Sequence, residues 1–247
     1  MLYLVSRLLL RLIIIIMLFG CFEKSQHFIS NIKRANSSSI SNSHVIFDKT
    51  FEWTEGINHY LRDNKLAADV TITAVNFVID ILFVLIILEA LLNNIKIISG
   101  YFIILFLRQI SQYIVDLPIP TEILWYNPHI IPSITADYDI SSDFFFSGHT
   151  ATTIYISFIL CRTYLSGFFW RIILPTVVVL FTIIVLISLR AHYYMDIYAG
   201  MMTSILALLT YYSIKFPSFM EYQIITAIYE KTPEAYQKYL RLFKKNV

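Results

Sequence analysis

Residues 171–189 read RIILPTVVVLFTIIVLISL, a run in which only the leading arginine is charged. A helix needs about 20 mostly apolar residues to cross a bilayer, and this run has the length and the composition. Five more runs of the same kind occur outward from it, at 3–22, 70–92, 97–116, 147–164 and 193–214. Together they set the composition. The 247-residue chain is 57% hydrophobic, 16% aromatic and only 15% charged, where soluble domains carry about 25% charged residues. Its mean hydropathy is +0.65. The expected fold is all-α, a polytopic membrane protein built as a six-helix transmembrane bundle. A formal net charge of +2 is too small to suggest nucleic-acid binding. Cys21 and Cys161 both lie inside apolar runs, which excludes a disulfide framework and a cysteine-based zinc site.

The first run has the outline of a signal peptide, with Arg7 and Arg11 ahead of an apolar core ending Leu18-Phe19-Gly20-Cys21, loosely like a lipoprotein cleavage site. Its Ile-rich core lacks small residues, which favours a retained anchor. Orientation follows from lysine and arginine in short loops. None lies from Gln109 to Cys161, a stretch holding Asp116, Glu122, Asp137, Asp139 and Asp143. Lys96, Arg162 and Arg171 occupy the alternate connections, and Lys215, Lys231, Lys238, Arg241, Lys244 and Lys245 follow the last run. Both termini are expected in the cytoplasm, with 109–146 and the long segment 23–69 on the extracytoplasmic or lumenal side. Within that segment the half-apolar run from Val45 to Leu66 is suited to lie along the membrane surface. The expected organisation is an N-terminal anchor span, outer loop and second span over 1–94, a catalytic core over 95–214 and a basic cytoplasmic tail over 215–247.

Two polar clusters fall where an outer loop meets a span: Asp143-Phe-Phe-Phe-Ser147-Gly148-His149-Thr150 and Arg190-Ala-His192-Tyr-Tyr-Met-Asp196. Ionisable groups at that depth are costly and are functional candidates by default. His192 and Asp196, four apart, share one helical face. The carboxylate can hold one imidazole nitrogen protonated and leave the other free as base or nucleophile. His149, from another helix, is placed to act as general acid. Gly148 admits a close backbone approach, and the amides near it suit an anion. Arg190 offers a forked cation for phosphate.

A single interfacial histidine is more often solvated or capping than catalytic, and a His–Asp pair on a helix is often only a structural link. A two-histidine metal site lacks a third clear ligand. Ser-Gly-His and Arg-x-His-x-x-x-Asp on one membrane face are nonetheless hard to explain as packing.

These motifs resemble the type 2 phosphatidic acid phosphatase superfamily. The better match is its sphingomyelin synthase-like branch, which includes the phosphatidylcholine:diacylglycerol cholinephosphotransferases. The branch pattern is Asp-x-x-x-Ser-Gly-His-Thr followed by His-Tyr-x-x-Asp, here Asp143 to Thr150 and His192 to Asp196. Asp116-Leu117-Pro118-Ile119-Pro120 looks like its Leu-Pro-x-Pro loop, with Arg108 upstream. The likeness covers roughly 95–214. Two phosphatase features are missing: Arg108 is followed by Gln109 rather than proline, and only Ala191 separates Arg190 from His192. Tyr193-Tyr194-Met195-Asp196 also departs from the family's Tyr-Thr-Ile/Val-Asp.

The resemblance implies a two-step phosphoryl transfer without cofactor or metal. His192, oriented by Asp196, would attack phosphorus, and His149 would protonate the departing diacylglycerol. An acceptor hydroxyl would then take the headgroup from a phosphohistidine. Arg190, Arg108, Ser147, Gly148 and Asp143 would serve the substrate. The implied partners are a membrane phospholipid donor, diacylglycerol or ceramide as acceptor, the bilayer, and a second copy of the chain as a candidate oligomeric partner. With water as acceptor the same residues make a lipid phosphate phosphatase. A transporter or scaffold has no need of His149, His192 and Asp196 together. Arg108 has an equal alternative, neutralising Asp80 of the second span. Trp125, Tyr126, Tyr138 and Phe144 to Phe146 would suit a choline group by cation–π attraction, although an interfacial aromatic belt is the more common reason for such residues.

Overall fold

The computed structural model describes residues 2–37, 46–115, 117–136, 138 and 145–213. Asp143, Phe144 and the basic tail 215–247 lie outside the described residues. Within them all the regular secondary structure is helical: α1 (Leu2–Ser37), α2 (Lys49–Trp53), α3 (Glu55–Asp63), α4 (Lys65–Leu92), α5 (Ile97–Ile114), α6 (Gly148–Tyr164), α7 (Phe168–Ser188) and α8 (Tyr194–Ser213). Helices α1, α4, α5 and α7 are long and apolar enough to cross a membrane, which makes the chain an integral membrane protein. The other two long helices, α6 and α8, fall outside that set. α6 has 17 residues and buries Thr150, Thr152, Thr153 and Ser157, whose hydroxyls dilute its apolar character.

Each long helix overlaps one of the six apolar runs to within three residues at either end, except α1 and α4, which reach well outside theirs. α1 continues to Ser37 rather than stopping near residue 22, and α4 starts at Lys65 rather than 70. Hydropathy marks only the lipid-buried part of a helix, while backbone hydrogen bonding carries the helix on through polar residues. The described part of the run from Val45 to Leu66, residues 46–66, holds α2, α3 and the start of α4. Asp48 caps α2, accepting from the Thr50 N–H at 2.9 Å and its hydroxyl at 2.7 Å. Phe47, Trp53, Ile57, Tyr60 and Leu66 are exposed along this segment.

α6 is the central element, packed against α4, α5, α7 and α8, while α1 lies against α4 and α5. The tightest crossing is at Gly100 of α5. A Cβ there would fall 2.5 Å from the Tyr155 hydroxyl and 2.6 Å from the Ala207 carbonyl. Tyr155 uses the space to donate to the Ile97 carbonyl at 2.6 Å. At the opposite end from the two polar motifs, the buried Arg11 of α1 donates to the carbonyls of Leu91 (2.9 Å) and Asn93 (3.3 Å). These are orphan acceptors at the end of α4, and a cation there also suits the helix dipole. The outward residues of the long helices, among them Ile13, Ile16, Phe77, Leu85, Val177, Ile184 and Leu209, are apolar and exposed, as a lipid-facing surface requires.

Candidate active site

The chain leaves the loop through Ser147, which is fully buried and caps α6. Its hydroxyl accepts from the Thr150 N–H at 3.3 Å and from the Thr150 hydroxyl at 3.0 Å. The cap puts His149 in the first turn of α6. The half-buried His149 ring faces His192, with centroids 6.1 Å apart and planes at 56°. Its Nδ1 is buried without a hydrogen-bond partner among the described residues. Asp196, with no exposed surface, stands in the first turn of α8, where acids are favoured by the dipole. Its Oδ2 accepts from the Tyr193 N–H at 3.0 Å and lies 3.7 Å from His192 Nδ1, an ion-pair separation rather than a hydrogen bond. Nδ1 is therefore the ring nitrogen turned toward Asp196.

The two motifs are locked together. The Ser147 N–H donates to the Asp196 carbonyl at 3.1 Å. One turn along α8, a Cβ on Gly200 would fall 2.7 Å from the Ser147 carbonyl. The glycine therefore lets α8 close directly onto the start of α6.

Gly148 has a different reason to be glycine: a Cβ there would lie 2.6 Å from Nη1 and 2.8 Å from Cζ of Arg108. The guanidinium of α5 occupies the volume that any larger residue would fill. Arg108, Gly148, His149 and His192 line one cavity of about 540 Å³. Asp80 is engaged elsewhere. Its carboxylate accepts from the Ser133 hydroxyl, the Ile134 and Thr135 N–H groups and the Thr135 hydroxyl, at 2.7 to 3.1 Å. It anchors the outer loop rather than serving as the counter-charge considered for Arg108.

Arg190 departs from expectation. Its buried guanidinium is clasped by Glu55 of α3 and by Glu122, with Nη1 also donating to the Thr121 carbonyl at 3.2 Å. The group lies 5.3 Å from the Phe51 ring and is absent from the cavity wall around the histidines. Its backbone explains why. α7 ends with the Arg190 N–H donating to the Ile187 carbonyl (2.9 Å) and the Ala191 N–H to Leu186 (3.0 Å), while Arg190 takes φ 53°. That is the left-handed helix-ending position usually given to glycine. An arginine there costs about 1 kcal/mol of backbone strain, and its side chain is turned back onto the loop. Arg62 holds the other oxygen of Glu122. These contacts keep the Glu122 carboxyl below its ordinary range, the Arg62 hydrogen bond being the largest cause and opposed by partial desolvation. The Tyr193 hydroxyl adds a tie by donating to the Pro118 carbonyl at 3.1 Å, so the Leu-Pro-Ile-Pro loop is fastened to the second motif.

Trp125 and Tyr138 reach into the cavity, with Trp125 5.8 Å from Tyr138 and edge-on to His149 at 5.2 Å. Asn76 Nδ2 donates to the Tyr138 hydroxyl at 2.6 Å. Burial pushes the Tyr138 phenol up, partly offset by that bond. Tyr126 is raised to about 12, by desolvation first and then by its contact with Asp69. Both stay neutral at physiological pH. Phe145 and Phe146 lie elsewhere, Phe146 in the core and Phe145 on a second cavity of about 610 Å³ that touches Tyr193 and Asp196 but neither histidine.

The cavity draws on both sides of the expected boundary at residue 94. α4 supplies Ile79 and Phe83, and α1 supplies Phe19, Phe22, Glu23, Gln26 and His27. The spacing 19, 22, 23, 26, 27 is one helical stripe, a signal present in the sequence but masked because α1 reads as a plain anchor. Tyr101 and Thr152 complete the wall and were equally unmarked. Among the described residues no group of three or more His, Cys, Asp or Glu is placed to hold a metal ion.

Comparison with curated proteins and with solved structures finds no match to the chain. A family model does match: AtPDCT1/2, the phosphatidylcholine:diacylglycerol cholinephosphotransferase family, aligns with residues 47–211. The matched region is well over half of the chain and contains His149, His192, Asp196, Arg108 and the Leu-Pro-Ile-Pro loop. By that match the chain belongs to the phosphatidylcholine:diacylglycerol cholinephosphotransferase family.

Proposed function

We propose that the protein transfers phosphocholine from phosphatidylcholine to a lipid alcohol, diacylglycerol or ceramide, through a phosphohistidine on His192. The observation that carries this reading is the facing His149–His192 pair, 6.1 Å between ring centroids, with Asp196 behind one ring and Arg108 in the same cavity. The gap suits one phosphoryl group held between an attacking nitrogen and a leaving oxygen.

In the first step His192 Nε2 bonds to phosphorus while the bond to the diacylglycerol oxygen breaks, and protonated His149 gives its proton to that oxygen. Asp196 stabilises the charge that grows on the His192 ring. In the second step neutral His149 takes the proton of the acceptor hydroxyl, the new P–O bond forms and the P–N bond breaks. Arg108 is the fork for the phosphate oxygens, so positioning and electrostatics supply most of the acceleration. Arg190 acts at one remove, by fastening the loop and α3 around the second motif. Six membrane-crossing helices, cytoplasmic termini and a site on the extracytoplasmic or lumenal face belong to this reading, supported by the distribution of lysine and arginine.

The test is a transfer assay with choline-labelled phosphatidylcholine. Label entering new lipid supports the transferase. Release of phosphocholine only into water would make the protein a hydrolase with the same residues.

A further inference from the structure

The cavity wall carries both signs of charge. Arg108 is its permanent cation, beside His149 and His192, His27 of α1 stands on the same wall, and among the described residues Glu23 of α1 is the only acid there. No cationic partner is paired with Glu23 among those residues. Its rotation is fixed: Ser25 donates to Gln109 Oε1 at 2.7 Å, and Gln26 Nε2 to Gln112 Oε1 at 2.9 Å, pinning α1 against α5. The inward stripe of α1 is apolar at Ile15, Phe19 and Phe22 and turns polar at Glu23. Glu23 is exposed on α1, one turn before His27 on the same wall. Around it the wall is aromatic: Phe19 lies 5.3 Å from Phe83 and 6.0 Å from Tyr101.

We propose that Glu23 receives the cationic group of a zwitterionic phospholipid headgroup whose phosphate lies between Arg108 and the histidines. α1, which precedes the region matched by the family model, is then a specificity element of the site as well as an anchor. The proposal rests on the headgroup-transfer reading for where the phosphate sits, and the carboxylate adds selection of the headgroup. A carboxylate with aromatic faces attracts an alkylammonium by charge and by cation–π contact, and the same wall rejects a headgroup that ends in an anion.

The experiment compares binding of hexadecylphosphocholine and hexadecyl phosphate to the purified full chain in a maltoside detergent. The wild type is expected to favour the phosphocholine probe. Glu23→Gln should reduce that preference about tenfold, the worth of one partly desolvated charge contact. Glu23→Lys should reverse the preference, and Glu23→Asp should keep most of it. Because the ratio is internal to each variant, a loss of folded protein lowers both probes alike. No wild-type preference, or a preference unchanged in Glu23→Gln and Glu23→Lys, overturns the proposal. Failure of Glu23→Gln to bind either probe also overturns it, by making Glu23 a structural residue. If the preference behaves as expected but no headgroup transfer is found, the transferase reading fails and the role of Glu23 stands.

Discussion

The N–H of Ser147 donates to the carbonyl of Asp196 at 3.1 Å, tying the cap of α6 to the first turn of α8. His149 follows Ser147 and His192 precedes Asp196, so this one backbone bond sets the separation of the two rings. The bond itself uses no side chain, but it forms only because Gly200 lets α8 approach the Ser147 carbonyl.

Asp196 is buried against His192 with no other ionic partner among the described residues. Asp196→Asn keeps the shape but removes the charge that stabilises the imidazolium. Turnover is expected to fall by about 10²- to 10⁴-fold, in line with the loss of the orienting acid in other histidine-based sites. KM should change far less, because the residue lines no substrate surface in the histidine cavity. A purified variant assayed over a range of lipid mole fractions checks both numbers.

Gly148→Ala should act through Arg108. The added methyl meets the end of a flexible side chain, so stability should change by less than about 1 kcal/mol. Headgroup transfer should nonetheless drop at least about tenfold, since the guanidinium moves off the phosphate position. Arg108→Lys should also lose activity, because a point charge cannot reproduce the fork. Wild-type kinetics in Gly148→Ala would show that Arg108 does not hold substrate.

Arg190 separates a positioning role from a phosphate contact. At φ 53° glycine is relaxed and alanine is not. Arg190→Gly should therefore be more stable than Arg190→Ala by about 1 kcal/mol, with both losing activity as the loop 117–126 loosens. Glu55→Gln with Glu122→Gln should also lower activity, because the clasp opens from the other side. If Arg190 gripped phosphate directly, releasing it from its two carboxylates would preserve or raise turnover. Thermal midpoints and turnover of the four proteins decide between the two roles.

The membrane character, the six long helices and the His149–His192–Asp196 grouping could all be read from the sequence, because each rests on a local pattern: apolar run length, i,i+4 spacing and the Ser-Gly-His turn. The side chain of Arg190 could not be placed that way. Its direction depends on a left-handed backbone at the end of α7 and on Glu55 and Glu122, which are distant in sequence. The role of α1 was hidden for a similar reason. Its polar stripe gains meaning only when α5 and the loop close the cavity around it, and a hydropathy window averages the stripe away.

Glu122 gives the outer loop a pH limit. Its carboxyl is held below the ordinary value of 4.5 by Arg62 first and also by Arg190. A depressed carboxylate contributes stability that is fully present above its unfolded-state value and is lost as pH falls through the depressed folded-state value. The thermal midpoint should therefore be insensitive to this group from neutrality down to about pH 5 and decline below it. Glu122→Gln should start lower and show a shallower acid decline, which a series of melts in buffered micelles measures.

The most direct test of the phosphohistidine transfer uses the purified chain in mixed micelles with choline-labelled phosphatidylcholine and unlabelled diacylglycerol. The expected result is label in newly formed phosphatidylcholine, reduced by more than about 10³-fold in His192→Ala, as for loss of a covalent nucleophile. Transfer by His192→Ala at the wild-type rate would contradict the assignment.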